Sequence, residues 1–167
     1  SSDDNVLKPT FLLKLVNEIE KSNADLVYSN YDIIHNDGSL KREHIAGPTE
    51  QLLFGNAVGA SFMYKRVLFE TLKGYDENFF LLEDYDFWLR ANRLFKLTHL
   101  DENLCQYRLH AKSLTAAIQG DKVYNEKHNR GVDLMFSNLG KACLWQRETT
   151  ELLTKHFKRE SINVEHY

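Results

Sequence analysis

The chain reads as an α/β fold with a helical C-terminal tail, and three features of its sequence predict this. Leu26 to Ile34 and Val58 to Tyr64 are strand-like runs of β-branched, aromatic and small residues. Segments of helical period separate and precede them, as in an alternating α/β chain. Past Gly120 the apolar residues fall at helical spacing in a polar background, through Val132, Leu134, Met135 and Phe136 and again from Leu144 to Phe157.

In chain order, Pro9 suits a first helical turn, where its missing N–H costs little. Phe11, Leu12, Leu15, Val16 and Ile19 then make residues 9–22 an amphipathic helix. After the first strand, Asn36-Asp37-Gly38-Ser39 supplies turn chemistry. Pro48 to Phe54 is a short helix. The run Val58-Gly59-Ala60-Ser61-Phe62-Met63-Tyr64 is a buried strand whose small residues leave room for a close approach. Lys65 to Lys73 is helical, with Gly74 as a left-handed cap. A loop from Tyr75 to Leu82 leads to a helix opened by Glu83 and Asp84. From about Leu104 the residues alternate, with Cys105, Tyr107 and Leu109 on one strand face and Arg108 and His110 on the other. Gly120 marks the only seam, giving a body over 1–118 and a tail over 119–167.

Composition narrows the function classes. Hydrophobic residues make up 43% and charged residues 27%, an ordinary globular balance, and 12% aromatic content argues against disorder. A net charge of −3 gives no basic footprint for nucleic acid. Cys105 and Cys143 show no metal or redox spacing. They fit a reduced cytoplasmic setting, with a single disulfide as the alternative. No apolar run approaches the roughly 20 residues needed to cross a bilayer, and the polar, acidic start predicts no signal peptide. The tail's basic residues are interspersed with acids, so membrane association is left open.

Three groups of residues carry possible chemistry. Asp3-Asp4 offers hard oxygen ligands suited to magnesium or manganese, or else is a polar terminal decoration. Glu83 and Asp84 sit where a helix dipole favours acids in any protein, and where one of them can serve as a general base toward a hydroxyl. Asp86 reads as a structural or surface acid, and Trp88 and Leu89 as core. Arg108, His110 and Lys112 share a strand face or its exit and neutralise a diphosphate leaving group, complete a metal site, or form a solvated strand edge. The other histidines show no ligand spacing, which argues against zinc.

In this order the motifs resemble those of the family-2 glycosyltransferases of the GT-A fold. The matching residues are Ser1-Ser2-Asp3-Asp4-Asn5 with Pro9, Ala24-Asp25-Leu26-Val27-Tyr28-Ser29-Asn30-Tyr31, and Asn36-Asp37-Gly38. They continue with Gly74-Tyr75-Asp76-Glu77, Glu83-Asp84-Tyr85-Asp86-Phe87-Trp88-Leu89-Arg90, and Tyr107-Arg108-Leu109-His110 with Ser113 and Thr115. The resemblance covers roughly residues 1–115 and rests on the joint pattern.

It implies part of a Rossmann-like mixed sheet flanked by helices. It also implies an inverting transferase that moves a sugar from a nucleotide-diphosphate sugar to a saccharide or other hydroxyl acceptor, as in cell-surface polysaccharide synthesis. By position, Asp3 and Asp4 would hold a divalent metal (magnesium or manganese), and Asp84 would be the base with Glu83 beside it. Arg108 and His110, with Lys112 nearby, would contact the donor diphosphate. Residues 40–56 and 75–82 would shape the acceptor side.

Two departures qualify the resemblance. Ser1 stands where many relatives carry the first acid of the Asp-x-Asp motif, and the family's nucleotide-binding N-terminal half is not in this sequence. The chain alone is therefore expected to be inactive, cytoplasmic or membrane-peripheral, and prone to self-association through an exposed sheet edge. The alternative is a non-catalytic half-domain acting as a binding or assembly module. A metal-dependent phosphohydrolase would need more acid and histidine ligands than this spacing offers.

Overall fold

The fold is α/β. A computed structural model describes residues 5–79, 81–110 and 120–143. The elements are β1 (Asn5–Leu7), α1 (Phe11–Ser22), β2 (Leu26–Ile34), β3 (Leu40–His44), a 3-10 turn (Thr49–Leu53), β4 (Phe62–Tyr64), α2 (Arg66–Leu72), α3 (Glu83–Leu94), β5 (Leu97–Arg108) and α4 (Lys122–Cys143). The strands form one mixed sheet ordered β1-β5-β2-β3, with β4 also on β2. Only β2 and β5 run parallel; β1 on β5, and both β3 and β4 on β2, are antiparallel. β2 is the spine, since β5 lines one side while β4 and β3 share the other.

β2 is buried along nearly its whole length because both its faces are covered. Leu26 and Tyr28 face a core built with α2, α3 and α4. Val27, Tyr31 and Ile33 face a second core under α1, with Phe11, Leu15, Leu104 and Cys105. Trp88 and Phe87 are fully buried, as the apolar run after the acids requires, and Leu89 joins them. The Phe62 ring meets Trp88 edge-on at 4.5 Å between centroids. The expected tail helix is present over the described residues, and its Val132, Met135 and Phe136 enter the α2–α3 core. A Cβ on Gly131 would lie 3.0 Å from Leu82 Cδ1, so glycine lets α4 come close there. The helical pattern from Leu144 to Phe157 lies outside the described residues.

Several boundaries differ from expectation. α1 starts at Phe11, and Pro9 lies in the turn before it. Only Phe62–Tyr64 of the expected 58–64 strand is extended; Gly59, with φ of +64°, belongs to a turn. β5 begins at Leu97, seven residues before the alternation becomes visible, because shifts in its pairing with β2 around Ser29 to Tyr31 break the period of two. β3 was not anticipated: four of its five residues are exposed and three of those are charged, the composition of a guarded edge. At the end of α2 the first left-handed residue is Lys73, with φ of +59°, and Gly74 follows at +74°.

Candidate functional site

α3 opens with Glu83, Asp84 and Asp86 in its first turn, where the unsatisfied N–H groups favour negative charge. These three acids have different surroundings. Glu83 is exposed. Asp86 is buried and paired with Arg90 one turn on, at 2.7 Å. Arg90 also donates to the carbonyls of Leu72 at 2.8 Å and Gly74 at 3.0 Å, tying α3 to the end of α2. Burial pushes the Asp86 carboxyl up, and Arg90 pulls it partly back. Asp86 is thus the structural acid that its sequence position suggested.

Asp84 is only partly exposed, and each of its carboxylate oxygens has one identified donor. Oδ1 accepts from the Tyr85 N–H at 2.7 Å, and Oδ2 accepts from Asn56 Nδ2 at 2.9 Å. Two donors hold the group in one rotamer while lone pairs remain for a third hydrogen. Burial pushes its pKa up and the neighbouring Glu83 charge adds to the rise; the two hydrogen bonds oppose it. Among the described residues no cation lies within ion-pair distance of Asp84.

Asn56 is itself fixed. Its Oδ1 accepts from the Gly59 N–H at 3.2 Å, closing a tight turn. Gly59 is needed there because a Cβ would stand 2.7 Å from the Tyr31 ring and the backbone is left-handed. This is the close approach that the small-residue run suggested. Tyr31 stacks on His44 across the β2–β3 pair at 4.4 Å and meets Tyr107 edge-on at 6.4 Å. Burial, with lesser contributions that include the Asp84 charge, raises the Tyr31 hydroxyl to about 12. Burial lowers the pKa of His44, helped by Arg42. His44 Nε2 is also buried, without a hydrogen-bond partner among the described residues.

The remaining candidates fall elsewhere. Arg108 donates from Nη1 to the Asn36 carbonyl at 2.8 Å and lies against that of His35, so it braces the β2–β3 turn. His110 borders an open depression with His35, Asp37 and Ser39 at the same end of the sheet. Asp3, Asp4 and Lys112 lie outside the described residues. Asn5, which follows the acid pair, opposes Tyr107 in the β1–β5 ladder. A line of contacts therefore joins the start of β1 to Asp84 through Tyr107, Tyr31, Gly59 and Asn56. Sequence reading missed Asn56, Tyr31 and His44; the only cue was the glycine-rich stretch around Asn56.

Among the described residues no cluster of three or more His, Cys, Asp or Glu side chains is arranged to hold a metal ion. No described helix is long and apolar enough to cross a membrane. No protein-family model matches the chain, and a search of curated proteins finds no match either.

Proposed function

We propose that this chain is the acceptor-side portion of an inverting glycosyltransferase, with Asp84 as its general base. The observation that carries the reading is Asp84 itself: a half-buried carboxylate, held by two donors and matched by no cation among the described residues, at the mouth of a helix. Burial raises its basicity while Asn56 and the Tyr85 N–H keep it aimed. In the reaction, an Asp84 oxygen takes the proton of an acceptor hydroxyl. The freed oxygen attacks the anomeric carbon from the face opposite the departing nucleotide diphosphate. Glu83 stands exposed beside it on the acceptor side.

A divalent metal held by Asp3 and Asp4 belongs to the same proposal; when bound, it would offset charge on the departing diphosphate. His110 and Lys112 would serve the donor. Arg108 would act there through the β2–β3 turn that it braces. The donor pocket would come from further chain in a longer parent. Two observations support such a partner segment: β1 pairs only with β5 among the strands described, and α1 turns Leu12 and Leu13 outward, each 61% exposed. The same margin supports self-association of the chain alone.

The test is Asp84→Asn in the longer gene product. Sugar transfer is expected to fall by at least about a thousandfold, while donor binding by calorimetry stays unchanged. Transfer at the wild-type rate would remove Asp84 from the mechanism.

A further inference from the structure

Tyr31 lies against the turn that carries Asn56. Its ring leaves no room for a side chain on Gly59: a Cβ there would stand 2.7 Å from Tyr31 Cε1 and 2.9 Å from its Oη. We propose that Tyr31 is a positioning residue for Asp84, acting through Gly59 and Asn56 to keep an N–H donor, and not a carbonyl oxygen, turned toward the carboxylate. The proposal rests on the reading of Asp84 as a base and adds the group that keeps that base aimed.

The two ends of the Asn56 amide have nearly the same shape, so their partners decide which end faces Asp84. Oδ1 accepts from the Gly59 N–H at 3.2 Å, and this turns Nδ2 toward Asp84 Oδ2 at 2.9 Å. Reversed, the amide would set oxygen against oxygen and leave the Gly59 N–H facing an NH2 group. The useful orientation therefore depends on where the Gly59 N–H points. That direction belongs to a left-handed turn resting on the Tyr31 ring.

The ring is a firm floor. Tyr31 is 9% exposed, stacked on His44 and packed with Phe11, Leu15 and Leu104 in the core under α1. It acts by shape and not by charge. The titratable groups that sense Asp84 are Glu83 on its own helix, Tyr31 on β2 and Tyr75 in the loop before α3. Burial pushes both tyrosines up, so both stay neutral at ordinary pH and Glu83 supplies the only charge of the three. The Tyr31 hydroxyl has no hydrogen-bond partner among the described residues, so the ring, and not the hydroxyl, supports the turn.

The experiment is a pH titration of the full chain by NMR, following the Asp84 carboxyl carbon, the Asn56 Nδ2 protons and the Gly59 N–H. In the wild-type chain all three are expected to report one midpoint. A Gly59 N–H that ignores the Asp84 titration overturns the proposal without any variant. Tyr31→Val suits a strand but removes the ring. It is expected to move the Asp84 midpoint to higher pH, because the Asn56 donor that opposes the rise is lost. General loosening would do the reverse, since water reaching the carboxylate favours its charged form. A midpoint that stays or falls in Tyr31→Val therefore overturns the proposal. Tyr31→Phe keeps the ring and should keep the wild-type midpoint; a rise matching that of Tyr31→Val would overturn action through the ring. Should Tyr31→Val fail to fold, the wild-type and Tyr31→Phe titrations still decide.

These titrations read the carboxyl and not turnover, so they succeed or fail apart from the role of Asp84 as a base. In the longer gene product Tyr31→Val should lower kcat about a hundredfold with KM for the donor unchanged, and Tyr31→Phe should restore it. Transfer at the wild-type rate by Tyr31→Val, where Asp84→Asn is inactive, would overturn the positioning role alone.

Discussion

Replacing Asn56 by Ala tests how the candidate base is held. The change removes the donor to Asp84 Oδ2 and the acceptor for the Gly59 N–H together. A hydrogen bond to a charged group contributes about 1.5–3 kcal/mol and a neutral one about 1, so the variant should lose roughly 3 kcal/mol at neutral pH. In a domain of this size that corresponds to a drop of about 6–12 °C in Tm.

The loss must also depend on pH. Burial already places Asp84 above its ordinary value of 3.8, and the Asn56 bond opposes that rise. Removing the bond lifts the folded-state pKa further. The folded state then binds its proton more tightly than the unfolded chain does, so stability falls as pH rises from the unfolded value through the folded one. The deficit of the variant is therefore largest above that window and shrinks toward pH 3.8. Urea unfolding followed by circular dichroism at acid and neutral pH, in a double-mutant cycle with Asp84→Ala, gives both numbers. A deficit equal at both pH values, with coupling below about 0.3 kcal/mol, would refute the account.

Other substitutions probe the supports of this site. Gly59→Ala forces a left-handed L-residue, at a cost of about 1–2 kcal/mol, and drives a methyl into Tyr31; a total loss near 3 kcal/mol is expected from the urea midpoint. Lys73→Gly relaxes the exposed left-handed cap of α2 and should add about 0.5–1 kcal/mol, seen as a higher Tm by calorimetry. Arg90→Lys keeps a charge near Asp86 but cannot also reach the Leu72 and Gly74 carbonyls, so thermal unfolding should show a loss of about 2 kcal/mol.

Much of the fold was legible where local signals and tertiary packing agree. The β-rich run of β2, the amphipathic period of α1 and the acids opening α3 each match the element that forms. The failures have physical causes. β3 is Leu40-Lys41-Arg42-Glu43-His44, a hairpin partner held by backbone pairing to β2, and it buries too little to show an alternating pattern. The first half of β5 is hidden by its irregular pairing: Ser29 opposes Leu100, but Asn30 opposes Asn103 and Tyr31 opposes Cys105. The extra residues are not idle. Asp101 accepts from Asn30 at 2.8 Å, and Glu102 pairs with Lys14 on α1. Asp84 was visible because acids at a helix start stand out. Asn56 was not, since it precedes Asp84 by 28 positions and meets it only through a turn of small residues.

The contrast between Asp84 and Asp86 favours function over structure for the former. Both lie in the first turn of one helix, and burial pushes both carboxyls up. Asp86 is answered by Arg90, which offsets the cost of taking its charge out of water. Asp84 has no such cation among the described residues, and Glu83 beside it makes ionisation harder. A carboxylate kept only for stability would be better replaced by Asn, which could keep the Tyr85 N–H contact without burying a charge. What Asp84 retains, and Asn would lose, is a carboxylate oxygen able to accept a proton, made more basic by burial. A local arrangement that is costly for folding and useful for proton transfer is what a base requires.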